Sequence, residues 1–346
     1  MPAVIETLPD TMRIPRFVGN SRVEFGEKAV PRPGPGQLLV RVHANALCGS
    51  DRHQFKNGSA VTPGHEAAGT VVLAGPGATT PIGTPGAIFL MDFCGACRSC
   101  KLGLTNLCLA KRADMGFSHD GGYNPYELIH ENIFFPIDSQ FTATDATLLL
   151  DIMGTGGHAI GRARKVHPDL QSVLVLGAGP IGLGVLAMAK LLLGRDVPVA
   201  ITDVIEPRLK LAAALGGIPL NVSSSSLSDA ARNAGRGKFD LCIDTSGRSE
   251  ARQAGIEALD KRGVFVCVGH GGGLNLDVSP QLIANERAVL GSEYFCFNEM
   301  VSNHALLKSN LAYLRQIVTH RFPLSDIQHA YELFFAGSTG KVVIEQ

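Results

Sequence analysis

The stretch Val173-Leu-Val-Leu-Gly177-Ala-Gly179-Pro-Ile-Gly182 decides the fold of this 346-residue chain. Its apolar run predicts a buried strand of a parallel sheet, and the residues after the glycines predict an apolar helix over about 181–193. In the Gly-x-Gly-x-x-Gly pattern the first glycine allows a tight turn, the second lets a ligand approach the backbone, and the third lets helix pack on strand. N–H groups at the start of such a helix bind phosphate. The stretch predicts a dinucleotide site; a purely structural glycine turn is the alternative.

The acidic residue Asp203 indicates which dinucleotide binds. It ends the next predicted strand, where a carboxylate accepts hydrogen bonds from the adenosine ribose hydroxyls and repels a 2′-phosphate. Val204 follows it, so no arginine is placed there to receive such a phosphate. We therefore expect NAD rather than NADP. The residues assigned to the cofactor are Gly177, Gly179, Pro180, Ile181, Gly182, Asp203 and Arg208.

Strands and helices alternate from about residue 153 onwards. Further strands are predicted at 199–203, 241–243, 264–268 and 288–290, with helical stretches between them. Unalternating apolar strands separated by helices are typical of a doubly wound parallel sheet. The pattern predicts a Rossmann domain over residues 153–292.

Residues up to about 152 have a different pattern. They carry short apolar strands, for example at 40–44 and 69–72, which Gly and Pro interrupt. The closing strand at 341–344 suits this β-rich part better than the parallel sheet. We therefore predict an α/β protein whose β-rich domain combines residues 1–152 with residues 293–346.

Four closely spaced cysteines, Cys94, Cys97, Cys100 and Cys108, predict a closed metal site in a lobe at about residues 92–110. Thiolates at such spacing can surround one Zn²⁺ ion tetrahedrally. Iron–sulfur ligation is the rival interpretation, but the bacterial ferredoxin pattern has a shorter last gap followed by proline. Four buried or loosely reactive cysteines are the remaining alternative. We favour structural zinc.

Composition limits the partners and the compartment. Positive and negative side chains balance at 31 each, which argues against nucleic acid or an anionic membrane as the main partner. The first residues lack the pattern of a signal peptide, and no apolar run reaches membrane-spanning length. Eight cysteines, half of them in one cluster, fit a reducing compartment better than a disulfide framework. We expect the cytoplasm.

Several further motifs, taken in order along nearly the whole chain, resemble the zinc-containing medium-chain alcohol dehydrogenase family. They are Cys48-Gly-Ser-Asp-Arg-His53, Gly64-His-Glu66, the four-cysteine lobe, Gly116-Phe117 with Asp120-Gly-Gly-Tyr123, the glycine-rich turn with Asp203, and Gly340-Lys-Val-Val-Ile344. The resemblance implies a chaperonin-10-like catalytic domain joined to a Rossmann domain, two zinc ions and NAD. It also implies a small-molecule alcohol or ketone as substrate and a homodimer or homotetramer.

The resemblance assigns a catalytic zinc to residues far apart in sequence. Cys48, His65 and Asp151 become its ligands, and Glu66 is the carboxylate that approaches the metal during ligand exchange. Asp51 would orient His65. Taken singly, Cys48 or His65 would more often be a core residue than a ligand.

The implied reaction transfers a proton from the bound alcohol to solvent. Zinc would acidify the alcohol, hydride would pass to the nicotinamide, and Ser50 and His53 would carry the proton to solvent. A surface role for His53 is the alternative.

The implied substrate is a secondary alcohol: a polyol, diol, sugar or hydroxy amino acid. Sorbitol-type members carry an Arg-Tyr pair where Tyr294-Phe295 stands here, which argues against polyol recognition by that pair. A non-catalytic structural or NAD-sensing role is the alternative function. The intact set Cys48, His65, Asp151, Ser50 and His53 argues against it, and also against a zinc-free quinone reductase.

Overall fold

The computed structural model describes residues 8–346. Residues 1–7, on which the absence of a signal peptide was judged, lie outside the described residues.

The elements fall into three consecutive groups. The strands of the first group are β1 Thr11–Gly19, β2 Arg22–Ala29, β3 Gln37–Ala46, β4 Ala67–Ala74, β5 Pro85–Ile88, β6 Met91–Asp92, β7 Ala113–Asp114, β8 Tyr126–His130 and β9 Phe134–Pro136. Its helices are α1 Arg52–Asn57, α2 Arg98–Lys101 and α3 Ala143–Thr147, followed by a π-helical turn at Asp151–Thr155. The strands of the second group are β10 Val173–Leu176, β11 Val199–Asp203, β12 Ile218–Asn221, β13 Phe239–Asp244, β14 Leu259–Cys267 and β15 Ala288–Gly291. Its helices are α4 Gly156–Val166, α5 Pro180–Leu192, α6 Glu206–Ala214, α7 Leu227–Asn233, α8 Ser249–Ala258 and α9 Val278–Gln281. The third group is α10 Glu299–Leu314, β16 Val318–Pro323, α11 Ile327–Ala336 and β17 Lys341–Glu345.

A seven-stranded mixed sheet holds most of the first group. Its order is β16-β17-β3-β4-β5-β9, and β8 also pairs with β3. The closing strand β17 runs antiparallel to β3, with Val343 opposite Ala46. The last strand of the chain therefore returns to the first part, and its first residue, Lys341, lies beside residues that follow β3.

A six-stranded parallel sheet holds the second group, in the order β12-β11-β10-β13-β14-β15. The order reverses between β10 and β13, and ligands of such sheets bind outside the carboxyl ends of the strands at this point. The glycine-rich turn follows β10 there. Strand β12 was not predicted: it is a short edge strand containing Pro219, and only Leu220 within it is buried. The assignment of residues 1–152, 153–292 and 293–346 to two domains stays a prediction.

The apolar core is continuous between the two sheets. One cluster of buried side chains includes Val40 and Ala67 of the mixed sheet, Leu148 before the π-helical turn, and Val173 and Leu183 at the glycine-rich turn. The turns that carry polar residues therefore rest on a rigid support. Within residues 8–346 no helix has the length and apolar character needed to cross a membrane.

Candidate functional site

The four cysteines of the predicted lobe meet at one point. Their sulfur atoms all lie within 4.8 Å of one another, and Cys97 Sγ is 3.5 Å from Cys100 Sγ and 3.9 Å from Cys108 Sγ. All cysteines of the described chain are free thiols rather than disulfides. The separations suit four sulfur ligands on one tetrahedral ion.

Backbone N–H groups in the lobe favour thiolates. Hydrogen bonds from the backbone of Cys100 and Leu109 lower the pKa of Cys97 to about 6, and those of Ala96 and Cys97 lower the pKa of Cys94. Burial and the neighbouring thiols raise the pKa of Cys100 to about 12. Crowded sulfurs cannot all ionise without a cation between them. The donor set therefore fits Zn²⁺.

A second cluster joins Cys48, His65, Glu66 and Asp151, all of them buried. One ligand atom from each lies within 4.8 Å of the others. Cys48 Sγ is 3.1 Å from Asp151 Oδ2, and His65 Nε2 is 3.6 Å from the same oxygen. The structure thus brings together the predicted ligands and the predicted nearby carboxylate.

Turns at strand ends place these side chains. Cys48 lies just after β3, and His65 and Glu66 lie just before β4. Gly64 has φ +103°, and a Cβ there would lie 2.8 Å from the Tyr123 backbone nitrogen, so this tight turn accepts only glycine. Asp151 opens the π-helical turn, a local form that often occurs at functional sites.

Asp51 supports His65 from the side opposite the cluster. Its Oδ1 is 3.2 Å from His65 Nδ1. Its other oxygen accepts hydrogen bonds from the Cys48 backbone N–H at 3.1 Å and from the Tyr331 hydroxyl at 2.8 Å. A carboxylate behind a ligating histidine fixes the ring and its tautomer, so that Nε2 faces the cluster.

The protein compensates the negative charge of the cluster only in part, through His65 and Lys341. Burial acts to raise the pKa of Asp151, but His65 and Lys341 outweigh it and lower that pKa strongly. Burial and Asp151 raise the pKa of Cys48 and of Glu66. Glu66 Oε2 and Asp151 Oδ1 are buried without a hydrogen-bond partner among residues 8–346. Orphaned oxygens beside a thiol and an imidazole are the donors that a divalent cation satisfies, so the residues fit zinc.

Sequence reasoning missed the role of Lys341. Its Nζ donates a hydrogen bond to Glu66 Oε1, and neither side chain is exposed. Burial acts to lower the pKa of Lys341, but Glu66 and Asp151 outweigh it and raise that pKa. The motif Gly340-Lys was noticed only as part of the closing strand. No local pattern indicates a partner 275 residues away.

The two predicted proton-relay residues lie at different distances from the cluster. Ser50 Oγ is 3.5 Å from His65 Nε2 and partly faces solvent. His53 is exposed on α1, and its Nδ1 lies 3.0 Å from the Asn57 side-chain amide rather than on Ser50. Ser50 is therefore placed at the cluster, while His53 lies at the surface and its part in the relay stays a prediction.

The glycine-rich turn has the shape that a pyrophosphate needs. Gly177 has φ +97°, and a Cβ on Gly182 would lie 1.8 Å from the Gly177 carbonyl oxygen. At Gly179 the nearest atom to such a Cβ is Arg208 Nη1 at 3.9 Å, so this face of the backbone is open. Pro180 begins α5, whose N–H groups point towards the same face.

Backbone N–H groups fix the Asp203 carboxylate in place. Its oxygens accept backbone N–H groups from Ala178 at 2.9 Å, Val204 at 2.7 Å and Ile205 at 3.0 Å. Arg208 Nη1 is 3.7 Å from Asp203 Oδ2. The carboxylate is thereby held at the glycine-rich turn, which suits recognition of ribose hydroxyls.

One cleft connects the glycine-rich turn to the cluster of candidate zinc ligands. A cavity of about 180 Å³ is lined by Cys48 of the cluster and by residues of the turn, together with Arg52 and Lys341. Its members from the two sites are Cys48, Gly49, Gly179, Pro180, Ile181, Gly182 and Arg208. A dinucleotide and a metal ion held by these residues would be neighbours.

Comparison with known proteins agrees with this arrangement. Residues 34–139 match the alcohol dehydrogenase GroES-like domain, and residues 156–345 match the glucose dehydrogenase C-terminus. An L-threonine 3-dehydrogenase of Saccharopolyspora erythraea is 31% identical over 93% of this chain and 95% of its own length. This chain belongs to the zinc-dependent alcohol dehydrogenase family. An uncharacterized zinc-type alcohol dehydrogenase-like protein of Escherichia coli K12, YphC, is 29% identical over 96% of this chain and 98% of its own length.

A solved relative shows the same fold in this alcohol dehydrogenase family. It is an Escherichia coli CFT073 alcohol dehydrogenase in complex with NADH, with a TM-score of 0.88 and 22% identity over 98% of this chain and 100% of its own. The predicted family, the chaperonin-10-like and Rossmann fold class and the oxidoreductase class are confirmed. The roles of individual residues in this alcohol dehydrogenase stay predictions.

Tyr294, noted from the sequence only as part of the Tyr294-Phe295 pair, has unusual surroundings in this alcohol dehydrogenase. Its backbone has φ 43°, which is unusual for a tyrosine, and its hydroxyl is buried without a hydrogen bond of good geometry in residues 8–346. Its neighbour Phe295 packs on Gly154 of the turn that carries Asp151, where a Cβ would lie 2.3 Å from the ring. Burial and the charge of Asp151 raise the pKa of Tyr294, and the Leu90 backbone N–H acts to lower it.

Proposed function

We propose that this enzyme interconverts a secondary alcohol and its ketone with NAD as the hydride carrier and two zinc ions per chain. The observation that carries the proposal is the convergence of Cys48, His65 and Asp151 within 4.8 Å. Of these, Cys48 lines a cleft together with the glycine-rich turn. Three protein ligands with an open position are typical of catalytic zinc. Bound zinc would acidify the alcohol hydroxyl, and NAD would accept the hydride.

The protein's own residues hold this centre in place. Asp51 keeps His65 Nε2 turned to the cluster, through the contact of 3.2 Å with Nδ1. Lys341 donates a hydrogen bond to Oε1 of Glu66, and Oε2 has no hydrogen-bond partner in residues 8–346. Glu66 is therefore the carboxylate that is able to exchange with a ligand. The cysteine lobe would hold the second zinc ion.

Proton removal starts at Ser50 in this proposal. Its hydroxyl lies 3.5 Å from His65 Nε2. An alcohol oxygen bound beside His65 Nε2 would therefore be within reach of the Ser50 hydroxyl. His53 lies three residues after Ser50 and is exposed. It is the final acceptor, which releases the proton to water.

We infer that the substrate carries a second oxygen next to the reacting alcohol. The buried hydroxyl of Tyr294 donates no hydrogen bond within residues 8–346 and lies in the field of Asp151, so its proton is available to a bound molecule. The ring of Phe117, 38% exposed and 4.9 Å from the His65 ring, adds an apolar wall. Polyols, diols, sugars and hydroxy amino acids present such an oxygen, and the relative from S. erythraea is named a threonine dehydrogenase.

The assembly that we propose is a homodimer or homotetramer in the cytoplasm. Strand β15 forms an open edge of the parallel sheet, and its Ala288, Val289 and Leu290 are only half-buried. The nearby Val278 and Ile283 are 51% and 69% exposed. Uncovered apolar edges favour pairing with another copy. Light scattering tests the assembly, and a monomer at all concentrations would contradict it.

A substrate screen tests the function. Purified enzyme is mixed with NAD and diols, polyols, sugars or 3-hydroxy amino acids, and NADH formation is followed by absorbance. We expect activity with at least one class, loss of that activity after chelation, and recovery on adding zinc. NAD binding without turnover on any class would favour the non-catalytic alternative.

A further inference from the structure

A third group of metal-ligating side chains lies outside the sites described above. His158 on α4, Cys296 in the loop before α10, and Glu299 at the start of α10 each place one ligand atom within 4.8 Å of the others. His158 and Cys296 are 7% and 5% exposed. His158 Nδ1 is 2.9 Å from Glu299 Oε2 and 3.0 Å from Oε1.

Hydrogen bonds within the protein orient the donors of this group. Cys296 donates its thiol proton to Asn106 Oδ1 at 3.2 Å and its backbone N–H to Glu299 Oε2 at 2.7 Å. His158 Nε2 is buried and has no hydrogen-bond partner in residues 8–346. Nδ1 is the ring nitrogen that faces Glu299 and would bind an ion shared with it, whereas Nε2 lies on the other side of the ring. The hydrogen bonds to Glu299 and Asn106 hold the three donors close together.

We propose that His158, Cys296 and Glu299 form an additional Zn²⁺ site, separate from the catalytic cluster and the cysteine lobe. A thiolate and a carboxylate balance the charge of a divalent ion, and neutral imidazole completes three ligands. Sulfur and nitrogen donors select zinc over magnesium or calcium. Binding forms a metal–sulfur bond and releases the Cys296 thiol proton to solvent, so no redox partner is needed.

Proton competition sets the pH dependence of this site. The Cys296 thiol donates its proton to Asn106 Oδ1 at 3.2 Å, so the sulfur is protonated when no metal is bound. A metal must displace that proton, and its apparent affinity rises with pH. His158 Nδ1 also faces Glu299. The positive charge of Lys165 acts to lower the pKa of the Cys296 thiol.

The site would tie three parts of the chain together. His158 belongs to α4, Cys296 and Glu299 to the start of the third group, and Asn106 to the turn that ends the cysteine lobe. The Asn106 amide also donates to the Glu293 carbonyl at 2.6 Å. A bound ion would therefore raise the thermal stability of the joint between these parts.

Cadmium uptake tests the proposal, because Cd²⁺ occupies zinc–thiolate sites and gives an ultraviolet thiolate charge-transfer band. Enzyme carrying its own zinc is incubated with Cd²⁺, desalted and analysed for both metals. We expect the wild type to take up one more equivalent than Cys296→Ser or His158→Gln, with a rise in Tm. Cys267→Ser is the matched control, since this half-buried thiol lies outside the group. It should retain the extra equivalent.

Glu299→Gln keeps the acceptor for the Cys296 N–H and so preserves the start of α10. We expect it to weaken the extra site by about tenfold or more. Equal cadmium uptake by the wild type and a folded Cys296→Ser would overturn the proposal. Uptake matched by zinc release would do so as well, because it would mean exchange at the other sites.

Discussion

Lys341 and Glu66 form an ion pair that solvent does not reach. This pair links the last strand of the chain to the cluster of candidate zinc ligands. Lys341 Nζ donates to Glu66 Oε1, and both side chains are 0% exposed. Glu66 directly follows His65 and belongs to the same cluster as Cys48 and Asp151. The ammonium group of Lys341 therefore offsets negative charge in this cluster. The return of β17 to the mixed sheet therefore has an electrostatic role in addition to a structural one.

Lys341→Met is expected to destabilise the protein. It leaves the Glu66 carboxylate buried without its cation, and breaking a buried pair typically costs about 3–5 kcal/mol. The measurement is the free energy of unfolding in urea. The double variant with Glu66→Gln removes both charges and should recover a large part of the loss. A double variant as unstable as the single one would contradict the electrostatic explanation.

Asp151→Ala tests which residue completes the catalytic zinc site. Only two protein ligands, Cys48 and His65, would remain, so we expect this zinc to be lost while the cysteine lobe keeps its own ion. Elemental analysis should give one zinc ion fewer per chain for the variant than for the wild type. Cys97→Ser is the reciprocal control and should empty the lobe instead. Full zinc occupancy in Asp151→Ala would make Glu66 the third ligand.

The parallel sheet was predictable because its signals are local. The run from Val173 to Gly182 carries strand, turn and helix start within one stretch, and each has a steric reason. The four cysteines of the lobe are likewise close in sequence. Strand β12 was missed because it has only four residues, and Pro219 and Asn221 interrupt its apolar pattern.

The centre between the sheets was predictable only through the resemblance. Cys48 and Asp151 are 103 residues apart, and no periodicity joins them. Lys341 and Tyr294 stayed without a role because their importance depends on what surrounds them. Lys341 looks like an ordinary strand residue, and the unpartnered Tyr294 hydroxyl is visible only once the cluster is folded.

Asp203→Ala is expected to change the cofactor preference. Loss of the carboxylate removes the acceptor for ribose hydroxyls and the repulsion of a 2′-phosphate, so the kcat/KM ratio of NAD to NADP should fall about tenfold or more, or about 1.4 kcal/mol. Asp203 also accepts three backbone N–H groups, so Asp203→Asn is needed as a control that keeps an acceptor in place. An unchanged ratio in both variants would mean that the ribose is recognised elsewhere.

His53→Ala separates proton transfer from metal binding. We expect both zinc ions to remain and kcat to fall, since general acid–base groups typically contribute about 10²–10⁴-fold. The loss should be greatest at low pH, where hydroxide cannot replace the base. His329→Ala is the control, because this histidine is also exposed but lies on α11. Wild-type turnover of His53→Ala at all pH values would make His53 a surface residue without a catalytic role.

Tyr294→Phe tests whether the buried hydroxyl recognises a second substrate oxygen. The ring contacts with Phe89 and Phe295, at 5.4 and 4.3 Å between centroids, remain in the variant, so only the hydrogen-bond donor is removed. We expect kcat/KM for a vicinal diol or hydroxy amino acid to fall about tenfold, which corresponds to about 1.4 kcal/mol. The value for a simple secondary alcohol, which has no second oxygen, should stay unchanged.

Tyr313→Phe is the matched control, since that hydroxyl donates to the Leu215 carbonyl, away from the cleft. It should leave both substrate classes unaffected. An equal loss for diol and simple alcohol in Tyr294→Phe would indicate a structural role for the phenol. No loss for either would show that another group binds the second oxygen. Only a selective loss supports recognition by Tyr294, because the hydroxyl then matters only when the substrate offers it an acceptor.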